Sequence, residues 1–310
     1  MSGAVEAQRP ARGYSDAGYA ASLSEFGAPR RLPLSGGWLL ERPVPAGSGS
    51  DLMGPYPLFT CPNWAGLAAD MEGLDGALVS AVLVADPLAR VGEPELRPAF
   101  PDLVVPFKRH HVRDLERPDK LPTHHRRHIR RASSAVEVDV CAEPGALLDD
   151  WVRLYAGLVE RHGLTGIRAF SREAFRRQLG LSGLVALRAR RGIETVGMAL
   201  WFEDAPNAYY HLAAYSPEGY EVSASYALFA AALDHLRELG VRWVDLGGTA
   251  GTGAGDEGLA RFKRGWASEQ RDAYLCGRII DQVAYARLAE AHSSEWFPAY
   301  RAADRDLAGA

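Results

Sequence analysis

The sequence predicts an α/β fold in two lobes, and three observations predict it. Its 310 residues exceed one ordinary compact domain and fall short of three. Amphipathic helical patterns alternate with short strand-like runs along the chain. From residue 147 onward the order is helix, helix, three strands, long helix, strand, helix, strand.

The elements follow in order. Residues 14–26 set Tyr19, Leu23 and Phe26 along one helical face, and Gly27 and Pro29 stop that helix. Residues 38–43 and 53–59 are strand-like pieces separated by a Gly/Ser loop, and 63–72 form a second helix. The run 77–85 is apolar enough for a strand buried on both faces. In 147–161, Leu147, Trp151, Leu154, Tyr155 and Leu158 fall on one stripe, closed by His162-Gly163. Ser171 opens a short helix carrying Ala174 and Phe175. Strands at 183–190 and 194–202 are joined by Arg191-Gly192, a hairpin signature, and 207–215 is a third strand rich in aromatics. The longest helix, 223–239, ends at Gly240, and 241–246 is a strand running into a Gly-rich loop. Asp256 caps a helix carrying Leu259, Phe262 and Trp266, followed by a strand at 273–280 and a helix at 282–291.

A composition of 47% apolar and 24% charged residues, with a net charge of −4, describes a soluble globular chain rather than a general polyanion binder. Cys61, Cys141 and Cys276 are odd in number and far apart, which excludes a disulfide framework and suits a reducing compartment. Residues 1–13 lack an apolar secretion core, and the longest apolar run is half a membrane span, so a cytoplasmic protein with no membrane span is expected. Charge is unevenly spread. Residues 106–131 hold nine Lys/Arg against three acids, giving +6, so the remainder carries −10. Such a segment suits phosphate groups, or else a solvated helix face and linker. His124, His125 and His128 have metal-ligand spacing, but no carboxylate or cysteine joins them, and no metal is expected.

The strand–helix order of the second half resembles the GNAT N-acetyltransferase fold, in which two neighbouring strands part to form the acyl-donor cleft. The stretch His124-His-Arg-Arg-His-Ile-Arg-Arg-Ala132 resembles the R-x-x-I-R-R-A helix of FemABX-like transferases. Val244-Asp-Leu-Gly-Gly248, a Gly-rich spacer and Gly258-Leu-Ala-Arg-Phe-Lys-Arg-Gly-Trp266 resemble the D-L-G-G … G-L-x-x-F-K-x-G-W/F signature of the same group. The likeness covers 106–280; in the first lobe only Met53-Gly-Pro-Tyr56 is familiar. It implies two tandem GNAT-like lobes, each a mixed sheet flanked by helices: 1–120, 121–280, and a C-terminal helix over 281–310 returning to the first lobe. It also implies acyl transfer to an amine, from aminoacyl-tRNA in the peptidoglycan-bridge members and from acyl-CoA in other relatives. Lys263 would stabilise the anionic intermediate.

The residues themselves allow these roles. If Asp256 caps its helix, Lys263 stands at the rim of the buried face, where a held cation would oppose an oxyanion; the alternative is a surface lysine lying over Trp266. Strand alternation puts Tyr209, His211, Ala213 and Tyr215 on one face. His211 is then a candidate base, or a hydrogen-bonded histidine in an aromatic strand. Asp245 either orients a base or amine or satisfies backbone donors in the Gly247-Gly248 turn. Phe262, Tyr215, Tyr209 and Tyr56 would shape the substrate cleft, and Arg127, Arg130 and Arg131 would attract donor phosphates. CoA users of this fold wrap pyrophosphate with a Gly-rich loop before the long helix. Here residues 216–225 have one glycine and carry Glu218 and Glu221, which favours aminoacyl-tRNA over acyl-CoA as the donor. The expected protein is an acyltransferase needing no cofactor beyond its donor, acting on a cell-envelope precursor or a smaller amine. The rivals are an acyl-CoA N-acyltransferase for an amino sugar or small amine, and a non-catalytic RNA-binding protein.

Overall fold

The computed structural model describes residues 11–45, 48–74, 77–118, 120–248, 256–290 and 296–304. Asp256 begins a helix, but its side chain and the spacer 249–255 lie outside the described residues. The strands are β1 (Ala28–Arg31), β2 (Trp38–Pro43), β3 (Ser50–Met53), β4 (Leu78–Val84), β5 (Leu103–Asp114), β6 (Glu137–Val140), β7 (Leu184–Arg191), β8 (Glu194–Asp204), β9 (Asn207–Tyr215), β10 (Trp243–Gly248) and β11 (Glu269–Ile279). The helices are α1 (Ala17–Ser22), α2 (Leu67–Glu72), α3 (Glu93–Leu96), α4 (Thr123–Ser133), α5 (Leu148–His162), α6 (Arg172–Gln178), α7 (Pro217–Glu221), α8 (Ala224–Glu238), α9 (Asp256–Trp266) and α10 (Gln282–Ala289).

Among the described residues, eleven strands join one mixed sheet in the order β1-β2-β3-β4-β11-β5-β10-β9-β8-β7-β6. The order is nearly palindromic. Two antiparallel strands, a parallel pair and a closing antiparallel strand occur as β1-β2-β3-β4-β11 and again as β7-β8-β9-β10-β5. The closing strands are exchanged. β5, from the first half of the chain, lies beside β10, while β11, from the second half, lies beside β4, and the two pair antiparallel at the centre. The halves are thereby one continuous sheet.

Helices cover both faces. On one, α1, α5 and α6 bury Tyr19, Trp151 and Phe175 against Met198, Leu200 and Phe202 of β8. On the other, α4, α8 and α9 bury Ala132, Leu228, Phe229 and Trp266 against Leu187, Trp201 and Val244. In the first lobe α2 and α3 close a separate core through Leu67, Met71 and Leu96, and α10 packs near Val44 and Val79.

β5 is the element that composition hides. Half of the basic segment is this central strand, whose polar side chains from His110 onward are buried with partners: His110 on Asp245, Arg113 on the Arg117 carbonyl, and Asp114 Oδ1 accepting from the Glu116 amide. The other half is α4, which turns His125 and Ala132 inward and leaves its arginines outside.

β9 carries a second departure. Leu200 pairs with Leu212 while Trp201 pairs with Tyr210, so His211 is an extra residue, a β-bulge. Strict alternation therefore fails at this point. Tyr209, His211 and Ala214 face the α1/α5/α6 side, whereas Tyr210, Ala213 and Tyr215 face α8. The expected shared face of Tyr209 and Tyr215 is corrected by that one inserted residue.

Candidate active site at the parting of two strands

The parallel ladder between β9 and β10 runs Trp243↔Asn207, Val244↔Ala208, Asp245↔Tyr209 and stops. Beyond it β10 follows β5, with Gly248 opposite His110, while β9 follows β8. A fork opens at Asp245 and Tyr209, and polar side chains gather there in a sheet otherwise packed with apolar ones.

Asp245 is 3% exposed; His110 Nδ1–H donates to its two oxygens at 2.8 and 3.0 Å, and the Gly247 amide donates at 2.7 Å. Asp245 thus fixes the turn and orients an imidazole at once. Tyr209 Oη donates at 2.6 Å to Asp86 Oδ2, whose other oxygen accepts the Leu88 amide at 2.8 Å. Asp86 is 2% exposed, and burial pushes its carboxyl up to about 6, with the nearby charge of Asp245 acting in the same sense.

Lys263 reaches the fork from α9. It is 7% exposed, so it is not a surface lysine, and its Nζ donates to the Gly248 carbonyl at 2.7 Å. Burial lowers its pKa to about 8, opposed by Asp245 and reinforced by Lys108. Gly247 has φ +81°, and a Cβ there would stand 3.0 Å from Nζ, so glycine leaves the ammonium its room. α9 is seated by α4: the buried His125 donates from Nε2 to the Phe262 carbonyl at 3.0 Å, and its Nδ1 lies 2.7 Å from His124 Nε2. The two histidines bond one another, and among the described residues no group of three His, Cys, Asp or Glu could hold a metal ion.

The remaining expected residues are spread more widely. His211 lies on the fork's face between Tyr14 Oη at 3.1 Å and Gln178 Oε1 at 3.3 Å. With Nε2–H donating to the amide, its Nδ1 lone pair is spent on Tyr14, and burial drives its pKa down to about 3. Tyr215 packs on Tyr220 across the sheet. Phe262 packs among Tyr226, Phe229 and Trp266 in the helix layer. Tyr56, in the first lobe, lines an apolar cleft of about 350 Å³ and lies 6.3 Å from Phe170, ring to ring. Arg127, Arg130 and Arg131 are exposed on α4 with no carboxylate partner among the described residues, and the exposed Arg261 and Arg264 continue the patch on α9. Sequence reasoning missed His110 and Asp86. The only local signal for Asp86 was a carboxylate followed by proline at the end of a buried strand.

A sheet whose parallel strands part beside a buried cation and a carboxylate is a scaffold for acyl transfer. Two tandem lobes of GNAT type carry it, and the protein is an acyltransferase with a FemABX-like fold. Residues 120–264 match the family profile of the acetyltransferase (GNAT) domain. Among solved structures the chain is similar to FemX, with 13% identity over 88% of this chain and 93% of that one and a TM-score of 0.65. It is also similar to the C-terminal domain of a putative lysylphosphatidylglycerol synthetase from Agrobacterium fabrum, at 16% identity, 86% and 88% coverage and a TM-score of 0.57. L-PGS from Bacillus licheniformis aligns at 13% identity over 88% of this chain and 95% of its own, with a TM-score of 0.52. A search of curated proteins finds no match. No described helix is long and apolar enough to cross a membrane.

Proposed function

We propose that the protein transfers an aminoacyl group from aminoacyl-tRNA to an amine, forming an amide and releasing the tRNA 3′ or 2′ hydroxyl. One observation carries the reading: a buried ammonium, Lys263, held at the fork within the field of Asp245. As the amine attacks the ester carbonyl, the carbonyl oxygen becomes an oxyanion, and Lys263 supplies fixed positive charge for it. The attacking nitrogen must lose a proton. Asp86, with its pKa near 6, is ionised at neutral pH and is our choice of acceptor for it, His211 being neutral with its lone pair engaged. Collapse expels the ribose oxygen, which takes a proton as the amide forms.

Two features support tRNA as donor. Residues 217–221 form α7 just before α8, its Glu218 paired with Arg191 at 2.5 Å, where a CoA user would present a Gly-rich pyrophosphate loop. The arginine faces of α4 and α9 offer a footprint for a phosphate backbone. Acetyl-CoA is the second reading, favoured by the acetyltransferase description of the matched family.

The test incubates the protein with charged tRNAs or acyl-CoAs and a panel of amines, and reads new amides by mass. Lys263→Ala is expected to lower turnover about 100-fold or more while the protein stays folded. Unchanged turnover removes Lys263 from the mechanism, and product from acyl-CoA alone replaces the donor. RNA affinity surviving that substitution, with no product from any donor, returns the protein to a non-catalytic RNA binder.

A further inference from the structure

The fork's face of the sheet continues into the first lobe, and there it ends in the apolar cleft. Three strand rows run from one to the other. On β4, alternation places Val82, Val84 and then Asp86 on one side. Beside it on β11, Leu275 lies opposite Val84 and is followed by Ala273 and Arg271. On β5, Phe107 in the cleft leads through Lys108 to His110, which lies opposite Arg271. All three rows change from apolar to polar in the same direction. One two-residue step, ~6.6 Å at strand rise, separates the Val84 floor from Asp86.

The cleft holds about 350 Å³, the size of a small organic ligand. Met53, Val84 and Leu275 make its floor, and Phe107 and Trp296, 6.1 Å apart, stand at its side. Its charged lining is Arg42 and Arg301, both tied to Asp51. Nothing along its floor offers the donors and acceptors that a sugar's hydroxyls need, and hydroxyls left without partners there would be costly. At the inner end, Asp86 accepts hydrogen bonds from neutral groups, the Tyr209 hydroxyl and the Leu88 amide, and has no ion pair among the described residues, which leaves its carboxylate for a cationic group.

We infer that the acceptor is a primary amine on an apolar body, alkyl or aryl, lying along the cleft with its nitrogen toward Asp86. This rests on the acyl-transfer reading and names the acceptor class for that site. It sets the protein apart from an enzyme acting on an amino sugar.

The experiment measures binding by calorimetry, without any donor, for n-butylamine, n-hexylamine, 2-phenylethylamine and glucosamine. Wild-type protein is expected to bind hexylamine and 2-phenylethylamine at least tenfold more tightly than glucosamine, with about fourfold gained per added methylene from butylamine to hexylamine. Val84→Phe and Met53→Trp fill the cleft from two strands, and each is expected to weaken the apolar amines at least tenfold. Glucosamine binding as tightly, no dependence on chain length, or no binding of any amine overturns the inference. So does wild-type affinity in both filled variants, their melting unchanged. If either variant fails to fold, the ligand series on the native chain decides. Selective binding of apolar amines without transfer from any donor would sink the acyl-transfer reading and leave the cleft assignment standing. Transfer to glucosamine unaffected by Val84→Phe would do the reverse.

Discussion

Gly265 tests the seating of α9 most sharply. A Cβ at this position would stand 2.0 Å from His125 Cε1, 2.2 Å from Nε2 and 2.6 Å from Nδ1. Ordinary contact begins near 3.4 Å, so the helices must separate by about 1.4 Å or the ring must move. The ring has nowhere to go. It is fully buried, bonded at both nitrogens, and packed on Tyr226 at 5.1 Å and Trp266 at 5.3 Å. Overpacking costs about 1–3 kcal/mol, and a strained His125–Phe262 hydrogen bond adds about 1 kcal/mol. Against that, Gly→Ala in a helix interior gains about 1 kcal/mol. Gly265→Ala should therefore destabilise by ~1–3 kcal/mol. Gly157, exposed on α5 with nothing within 4 Å of its would-be Cβ, is the matched control, and Gly157→Ala should stabilise by ~0.5–1 kcal/mol. At ~2 °C per kcal/mol for a chain of this length, the two variants should melt on opposite sides of the wild type, several degrees apart. Circular dichroism melts and urea titrations read this directly. Because Lys263 lies two residues from Gly265, the destabilised variant should also lose more transfer activity than its unfolded fraction explains. A Gly265→Ala protein melting at or above wild type would refute the close α4–α9 approach, and the seating of Lys263 with it.

Two further outcomes follow from the charges. Asp86 has its folded pKa raised from 3.8 to about 6, so between those values the folded state holds a proton that the unfolded state has lost. Wild-type stability should then fall as pH rises from about 4 to 6 and level off above, a loss of about 3 kcal/mol that Asp86→Asn escapes. Urea denaturation at pH 4 and pH 7 should show the variant's advantage growing with pH, and a pH-independent difference would contradict the buried carboxylate. For α4, replacing Arg127, Arg130 and Arg131 with alanine should weaken tRNA binding and lower the slope of log affinity against log salt by about one per arginine. An unchanged slope would place the RNA elsewhere.

Legibility in the sequence followed the range of the interactions. β9 was read at its observed bounds and β7, β8, α5 and α8 nearly so, because each buries a periodic face against its own sheet. Lys263 was flagged by the Phe-Lys motif, but its burial depends on the Gly248 carbonyl fifteen residues earlier and on α4 across the layer. β5 was invisible for the opposite reason. Its polar residues are tolerated in the sheet's centre only through partners such as Asp245, 135 positions away, so locally they read as a solvated stretch. Asp86 is held by Tyr209 across 123 positions, and no periodicity announces that. The bulge at His211 is the subtlest case. Nothing in Tyr-Tyr-His-Leu marks an extra residue, yet that residue sends Tyr215 to the α8 side and keeps His211 beside Tyr14. The same logic explains why the site sits where it does. A polar cluster can occupy the middle of a sheet only where a ladder ends and the pleat is broken, for there side chains have room to satisfy one another and backbone groups are open to a ligand. In this chain that place is the fork beyond Asp245 and Tyr209, with the bulge on one strand and the Gly247 turn on the other.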